Sequence, residues 1–270
     1  MARSFYPRRI VCLTEETTET LYLLGEEERI VGISGFTVRP PRARKEKPKV
    51  SVFLEADIPA IEELAPDLVI AFSDLQADIA RALIQKGIEV LTLNHRSIDE
   101  ILRMVVMVGS IVGKQLAAEE LAGSLAARVD AARERAKSLP LRPRVFFEEW
   151  PDPLISGIRW VSELIEAAGG EDLFAELRAG KLAKDRIVTP AEVVRRDPQL
   201  ILGSWCGKKM KKEVVLAREG FSGTTAVRHD LVHEIKSPII LQPGPAALTD
   251  GLDALEKHIG SAARVLSGES

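Results

Sequence analysis

The sequence is poor in the features by which several classes of protein are recognised. Its 270 residues include only two cysteines, Cys12 and Cys206, and their spacing fits neither a disulfide framework nor a zinc site. No apolar stretch is long enough to span a membrane. The formal net charge of −3 gives no electrostatic basis for binding nucleic acid. We therefore expect a monomer with no membrane insertion, no nucleic-acid partner and no metal site of its own.

Two further absences concern catalysis and compartment. The chain has neither a glycine-rich phosphate-binding fingerprint nor a Ser/His/Asp signature. Its first 14 residues, MARSFYPRRIVCLT, include basic residues but no apolar run ahead of the first expected strand, so they do not form a signal peptide. As written, the sequence predicts a cytoplasmic protein; if a leader has been removed, the periplasm is the alternative.

The sequence does contain a regular alternation of short apolar strands and amphipathic helices in both halves. This alternation predicts an α/β fold with parallel-type sheets and right-handed crossovers. A basic, proline-rich segment, Val38–Lys49, is expected to be a surface loop. Strands are predicted at Arg9–Leu13, Arg29–Ile33, Asp67–Phe72, Ile88–Leu93, Arg144–Glu149, Gln199–Trp205, Leu231–Ile235 and Pro238–Leu241. Helices are predicted at Thr14–Leu24, Pro59–Leu64, Asp74–Lys86, Trp160–Ala168 and Pro245–Leu266.

One long helix is predicted in the middle of the chain, over residues 114–139. It contains no proline, and its larger apolar residues recur at steps of three and four, which keeps them on one face. They are Leu121, Leu125, Val129, Ala132 and Ala136. We expect this helix to join two α/β lobes, residues 1–113 and 140–270. The alternative is that it is one more crossover helix of a single large sheet.

Four segments are distinctive: PDLVIA at Pro66–Ala71, GIEVLTLN at Gly87–Asn94, the long helix, and the tract Arg144–Gly170. Together they resemble the helix-linked (class III) solute-binding proteins of ABC importers, and the resemblance is closest to the cobalamin-binding branch. That family carries vitamin B12, haem and ferric siderophores. The resemblance implies two Rossmann-like lobes, a stiff helical hinge, and a ligand held between the lobes without chemistry.

The resemblance also implies how an importer partner would be recognised. Members of the family present one glutamate per lobe to arginines of the permease, and the matching positions here are Pro59 and Ala191. Glu62 or Glu63 could substitute in the first lobe, whereas Glu192 lies one position away, about 100° around its helix. These replacements, with the missing leader, argue against a standard ABC permease as partner.

Candidate ligand-binding residues follow from the rule that ligands lie beyond the carboxyl ends of strands in open α/β sheets. Trp150 and Trp205 each follow a strand and are expected to be exposed, whereas the position of Trp160, at a helix start, is left open. Lys208 and Lys209 would give this aromatic surface a cationic edge, unless the run from Lys208 to Lys212 is only a solvated helix start. The other candidates are Glu149, Asp152 and Gln242 in the second lobe, and Glu15, Phe36, Ser73, His95 and Arg96 in the first.

The sequence therefore predicts non-enzymatic binding of a small molecule, a corrinoid such as cobalamin or a similar metal chelate first, with no cofactor required. The first alternative is an importer component for cobalamin, haem or a ferric siderophore. The second is an enzyme on the same scaffold that uses Cys206 or Glu149. Glu148 and Glu149 are adjacent on a strand and point to opposite faces, so they cannot form a general acid/base pair. His229 and His233 have helical metal-ligand spacing but lie in a predicted strand, whereas His95 is a candidate axial ligand to a bound metal complex.

Overall fold

The structure, a computed structural model, describes residues 5–268 and divides them into two compact units. Unit 1 contains the chain up to His95 together with Asp99–Ser124, and unit 2 contains Arg96–Ile98 together with the chain from Leu125 onward. Each unit is built from parallel strands alternating with helices. The predicted α/β class is therefore confirmed.

Unit 1 is organised around a six-stranded sheet with the order β4-β3-β2-β1-β5-β6. All pairings are parallel except β3 with β4, which form a tight hairpin. Strands β1 and β5 are buried along their whole length, as expected of central strands covered by helices on both faces. The strands are β1 Ile10–Cys12, β2 Ile30–Ser34, β3 Lys49–Val52, β4 Glu55–Ala56, β5 Leu68–Phe72 and β6 Val90–Leu93. The helices are α1 Glu15–Leu23, α2 Ala43–Glu46, α3 Ile58–Glu63, α4 Ala77–Gln85 and α5 Ile98–Ile111.

The long helix α6 spans Gln115–Ala136, three residues shorter at its C-terminal end than predicted. Leu125, Val129 and Ala132, on the predicted apolar face, are buried, as is Ala118 in the first turns. The boundary between the two units falls inside this helix. Its second half is fixed within unit 2 by ion pairs from Arg128 and Arg135 to the last helix of the chain.

Unit 2 is organised around a five-stranded sheet with the order β11-β10-β7-β8, and β9 pairs with the start of β7. Strand β8 runs antiparallel to β7, whereas the other pairings are parallel. The strands are β7 Arg144–Pro151, β8 Leu154–Ser156, β9 Glu171–Asp172, β10 Leu200–Gly203 and β11 Val232–Glu234. The helices are α7 Arg159–Ala167, α8 Pro190–Arg196, α9 Lys212–Leu216, α10 Thr225–Arg228, α11 Ser237–Ile240 and α12 Leu252–Ser267.

One local prediction was wrong and two were incomplete. The proposed strand Pro238–Leu241 is the helical turn α11, because Pro238 lies in the first turn of a helix, where its missing N–H is not needed. The basic loop Val38–Lys49 contains the short helix α2 and the first residue of β3. The closing helix begins with one π-helical segment, Ala247–Gly251, ahead of α12.

Candidate ligand-binding site

Trp150 and Lys208 meet at the carboxyl end of the unit 2 sheet. Trp150 is the penultimate residue of β7 and is partly buried against the unit 2 core. Its indole N–H donates to the main-chain oxygen of Asp152 at 2.9 Å. The Lys208 ammonium stands 4.4 Å from the centroid of the indole ring, a cation–π contact. The structure therefore brings together three of the predicted residues, Trp150, Asp152 and Lys208, while Lys209 is exposed beside them.

Trp205 does not have the exposed position that we predicted. Its side chain is 5% exposed and belongs to the core of unit 2, and its indole N–H donates to Glu148 Oε1 at 2.8 Å. The strand β10 ends two residues earlier than predicted, so the chain turns inward at Ser204 and Trp205 instead of outward. Trp160 is also buried, and its N–H donates to the carbonyl of Ile240 at 2.8 Å.

Two arginines that no sequence motif singles out hold the adjacent carboxylates of β7. Glu148 is fully buried and accepts two hydrogen bonds from Arg218, at 2.5 and 2.8 Å. Glu149 accepts two from Arg186, at 2.6 and 3.0 Å. The two side chains point to opposite faces, as predicted, and neither is free to act as a general base. Arg218 also donates to the carbonyl of Pro151 at 3.4 Å, which fixes the loop that follows Trp150.

The remaining unit 2 candidates are dispersed. Gln242 is partly buried, and its Oε1 has no hydrogen-bond partner among residues 5–268. The Cys206 side chain is exposed, whereas that of Cys12, in unit 1, is buried. Burial raises the pKa of the Cys12 thiol to about 12. In the lysine run, Lys212 begins α9 and pairs with Asp230. The interpretation of the run as a helix start therefore holds for Lys212 but not for Lys208 or Lys209. Within the described chain no three or more His, Cys, Asp or Glu side chains are grouped to hold a metal ion.

The first turn of α1 places buried acidic residues at the carboxyl end of the unit 1 sheet. Glu16 accepts a hydrogen bond from the hydroxyl of Thr14 at 2.6 Å. Burial and the neighbouring Glu15 raise the pKa of Glu16 to about 8, and burial raises the pKa of Glu15. At neutral pH Glu16 is therefore protonated, and it acts as a neutral polar group beneath the edge of the sheet.

His95 and Ser73 are buried beside this acidic turn, so neither is an exposed contact residue in this structure. The His95 Nε2 atom is 3.7 Å from Glu16 Oε1, and its ring packs edge-on against Phe72 with centroids 5.1 Å apart. Ser73 has a positive φ of 54° and its hydroxyl accepts a hydrogen bond from the Leu75 N–H at 3.2 Å. Arg96 lies in unit 2, where it donates to the carbonyl of Lys181 at 3.0 Å.

An apolar surface lies at the same end of unit 1, and the sequence predicted only one of its residues. Phe36, the predicted residue, is 48% exposed, and the β3–β4 hairpin adds Val52 and Leu54, with Leu54 61% exposed. Leu75 is also exposed. An apolar residue at the tip of a two-residue hairpin was the available signal, because such turns normally carry glycine, asparagine or aspartate.

The two positions matching the docking glutamates of the family are both on the surface. Pro59 is exposed in the first turn of α3, and Ala191 is exposed near the start of α8. Glu192, the neighbour of Ala191, is held by Arg195 and Arg196, which lower its pKa to about 2. Glu62 pairs with Lys86 at 3.2 Å.

Comparison with known proteins identifies relatives along nearly the whole chain. The family described as periplasmic binding protein matches residues 10–239. A Bacillus subtilis (strain 168) protein, named as an uncharacterized ABC transporter substrate-binding lipoprotein, is 27% identical over 94% of this chain and 80% of its own length. A cobalamin-binding protein of Halobacterium salinarum is 23% identical over 88% of this chain and 66% of its own length.

Solved structures share the fold. The periplasmic vitamin B12-binding protein of Vibrio cholerae superposes with a TM-score of 0.76 and 22% identity, covering 96% of this chain and 99% of its own. The periplasmic heme-binding protein from Roseiflexus sp. RS-1 gives a TM-score of 0.81 and 24% identity, covering 95% and 99%. Between residues 5 and 268, no helix combines the length and the apolar character needed to cross a membrane.

Proposed function

Because this chain belongs to the periplasmic binding protein family, we propose that it binds a bulky, ring-bearing small molecule and catalyses no reaction on it. Family membership confirms the resemblance carried by PDLVIA, the long helix and the tract Arg144–Gly170. A corrinoid such as cobalamin is the first candidate ligand, and haem is the second. Relatives named for cobalamin, vitamin B12 and heme binding support this order.

The observation that carries the proposal is the geometry around Trp150. An indole whose N–H is already bonded to Asp152 has only a flat apolar face to offer, and such a face suits a macrocycle or fused ring. Lys208 stands over one face of that ring, and we expect a stacked ligand to take its place there while the ammonium pairs with a carboxylate or phosphate on the ligand. Arg218 and Glu148 fix the supporting loop before the ligand arrives, which lowers the entropic cost of binding.

Unit 1 has an apolar surface of its own that suits a ring-bearing ligand. Phe36, Val52, Leu54 and Leu75 are exposed apolar side chains at the carboxyl end of that sheet, where ligands of open α/β folds bind. An apolar surface of this kind suits a ring system better than a sugar or a bare metal ion. In unit 2, Gln242 would add a polar contact through its Oε1, which has no hydrogen-bond partner among the described residues.

The first alternative is that the protein delivers its ligand to an ABC importer. The Bacillus subtilis relative named as a substrate-binding lipoprotein favours it, whereas Pro59 and Ala191 at the docking positions oppose docking on a B12-type permease. A permease and ATPase encoded beside this gene would favour the importer role.

The second alternative is an enzyme that uses Cys206 or Glu149. The two hydrogen bonds from Arg186 hold Glu149 in one position, which suits a structural role better than proton transfer. Mass spectrometry of small molecules released from the purified protein, before and after incubation, tests this alternative, because turnover would convert the bound molecule.

The proposal is tested by titrating cobalamin, and separately haem, into the protein while following tryptophan fluorescence. Saturable quenching is expected. Trp150→Ala should weaken binding by about 2 kcal/mol, roughly 30-fold, if Trp150 is a central anchor. Lys208→Ala should weaken it by about 1 kcal/mol because the ammonium is partly solvated, and Lys211→Ala, a neighbouring exposed lysine, should have no effect.

The possible failures are distinguishable. Saturable binding of haem without binding of cobalamin would overturn the corrinoid assignment alone. Unchanged affinity in a Trp150→Ala variant that retains its circular dichroism spectrum would mean that the site lies elsewhere.

A further inference from the structure

One edge of the unit 1 sheet is open in the described part of the chain. Strand β6, Val90–Leu93, is the last in the order and pairs with β5 alone. The carbonyls of Glu89 and Leu93 face β5, where they accept from the N–H groups of Val69 and Ser73. Because main-chain groups alternate along a strand, Val90 and Thr92 direct their N–H and C=O groups to the opposite side. Among residues 5–268 nothing pairs with those groups there.

A groove of about 440 Å³ runs along this edge, between β6 and α4. Its apolar wall is formed by Ala77, Ala80 and Ile84, one face of α4, and Thr92 lines it from the strand. Ile84 is 59% exposed. Helix α4 has nine residues and is roughly 13 Å long, so the groove accommodates about four residues of extended chain at about 3.3 Å each. That length equals the four residues of β6.

The charge of the groove identifies its occupant further. Arg81 lies in the groove, is exposed, and makes no hydrogen bond or ion pair within the described residues. Asp74 lines the same groove but is engaged within the protein, and Lys86, at the end of the helix, pairs with Glu62. Among the described residues that line the groove, Arg81 is therefore the one cation available to a ligand, and a carboxylate complements it.

We propose that this edge and groove bind an extended acidic segment of a partner protein, which adds to the unit 1 sheet as a seventh strand. Alternating N–H and C=O groups along β6 are satisfied together only by another extended main chain, which is the basis of β-strand addition. Side chains on one face of the segment would pack on Ala80 and Ile84, and an acidic residue would pair with Arg81. The residues invoked here, on β6 and α4, are different from Trp150, Asp152 and Lys208.

The probe is a blocked synthetic peptide, acetyl-Val-Thr-Glu-Thr-Val-amide, in which the valine and glutamate side chains share one face of the extended strand, titrated into ¹⁵N-labelled protein. Binding should shift the amide signals of Val90 and Thr92 and slow their hydrogen exchange. Arg81→Glu should weaken binding at least tenfold, whereas Arg103→Glu on α5, the same charge change outside the groove, should not. Replacing the peptide glutamate by lysine should also weaken binding at least tenfold.

Main-chain pairing is tested with two isomers of the peptide, N-methylated at its odd or at its even positions. Since alternate N–H groups of a strand face the same side, one isomer should retain binding and the other should lose it. Thr92→Pro, which removes an outward N–H at an edge position that tolerates proline, should abolish binding with the circular dichroism spectrum retained. If that variant does not fold, the comparison of the two N-methylated isomers and the Arg81→Glu variant still test strand addition.

Three results would overturn the proposal. They are failure of the wild type to bind the peptide at millimolar concentration, equal binding by Arg81→Glu, and equal effects of the two N-methylated isomers. Sedimentation showing self-association that Arg81→Glu or Thr92→Pro removes would instead assign this edge to a second copy of the chain, which also overturns a partner segment.

Discussion

At the scale of single residues, two imidazole rings are stacked in unit 2. His233 on β11 and His258 on α12 have ring centroids 4.6 Å apart and planes at 18°. Burial, together with the neighbouring His233, lowers the pKa of His258 to about 4. Burial also lowers the pKa of His233, with Lys212 and Lys257 adding to the effect and Asp230 opposing it. Both rings are neutral at pH 7 in the folded protein.

The histidine pair predicts a loss of stability in acid. Because the folded pKa of His258 lies below its unfolded value of 6.5, the unfolded chain takes up a proton first as pH falls. The contribution is complete above pH 6.5 and is lost between pH 6.5 and about 4. After allowance for partial exposure we expect about 1 kcal/mol. His258→Gln should flatten the denaturant-midpoint curve in this range, while His229→Gln, an exposed control, should leave it unchanged.

Glu16 predicts the opposite dependence on pH. Its folded pKa is raised to about 8 from 4.5, so its contribution is complete below pH 4.5 and is lost as pH rises through about 8. Glu16→Gln keeps an acceptor for the Thr14 hydroxyl without the buried charge. We expect the variant to exceed the wild type in unfolding free energy by about 2 kcal/mol at pH 9, with little difference at pH 4.5. Equal pH profiles for both proteins would contradict the assignment.

Residue identity alone located some of these groups and not others. The opposite orientation of Glu148 and Glu149 follows from the alternation of side chains along a strand. Their partners, Arg218 and Arg186, lie in segments whose paths over the sheet depend on tertiary packing, and no local pattern singles them out. Trp205 was misplaced for a related reason: an aromatic residue after a strand can turn outward or inward, and its buried bond to Glu148 selects the inward position.

At the scale of elements, two glycines in neighbouring helices have opposite surroundings. A Cβ added at Gly123 in α6 would meet nothing within 4 Å, whereas one at Gly109 in α5 would lie 2.2 Å from the Cβ of Ala118. Gly123→Ala should therefore raise the unfolding free energy by about 0.5–1 kcal/mol through helix propensity. Gly109→Ala should lower it by about 1–3 kcal/mol through overpacking. Urea unfolding measures both, and a stabilising Gly109→Ala would contradict the close packing of α5 on α6.

Helices and strands were predicted correctly where the hydrophobic pattern extended over many residues or formed a continuous apolar run. Helix α6 was identified from its apolar face and lack of proline, and the buried strands β1 and β5 from continuous apolar runs. The segment Pro238–Leu241 was not, because three apolar residues after a proline fit either a strand or a helical turn. The helical turn is supported by a tertiary contact that local sequence does not reveal. The N–H of Trp160, in α7 and far away in sequence, donates to the carbonyl of Ile240.

At the scale of the whole molecule, the docking positions predict a partner preference. Wild-type protein should not stimulate a vitamin B12 permease–ATPase complex in proteoliposomes, because Pro59 and Ala191 offer no carboxylate and Glu192 is neutralised by its own arginines. The double variant Pro59→Glu/Ala191→Glu restores one exposed carboxylate per unit and should raise ATPase activity measurably. Arg195→Ala alone, which frees part of Glu192, is the control. Stimulation by the wild type equal to that by the double variant would contradict this preference.

The division inside α6 also has a consequence for synthesis. Unit 1 uses no residue beyond Ser124, so at about 5–20 residues per second a ribosome completes it within roughly 6–25 s. Unit 1 can therefore fold while the rest of unit 2 is still being synthesised. Nascent chains halted after the whole of α6 has emerged should already resist protease throughout unit 1. The unfinished half of α6, lacking Asp253 and Glu256 as partners for Arg128 and Arg135, should remain the accessible end until the last helix leaves the exit tunnel.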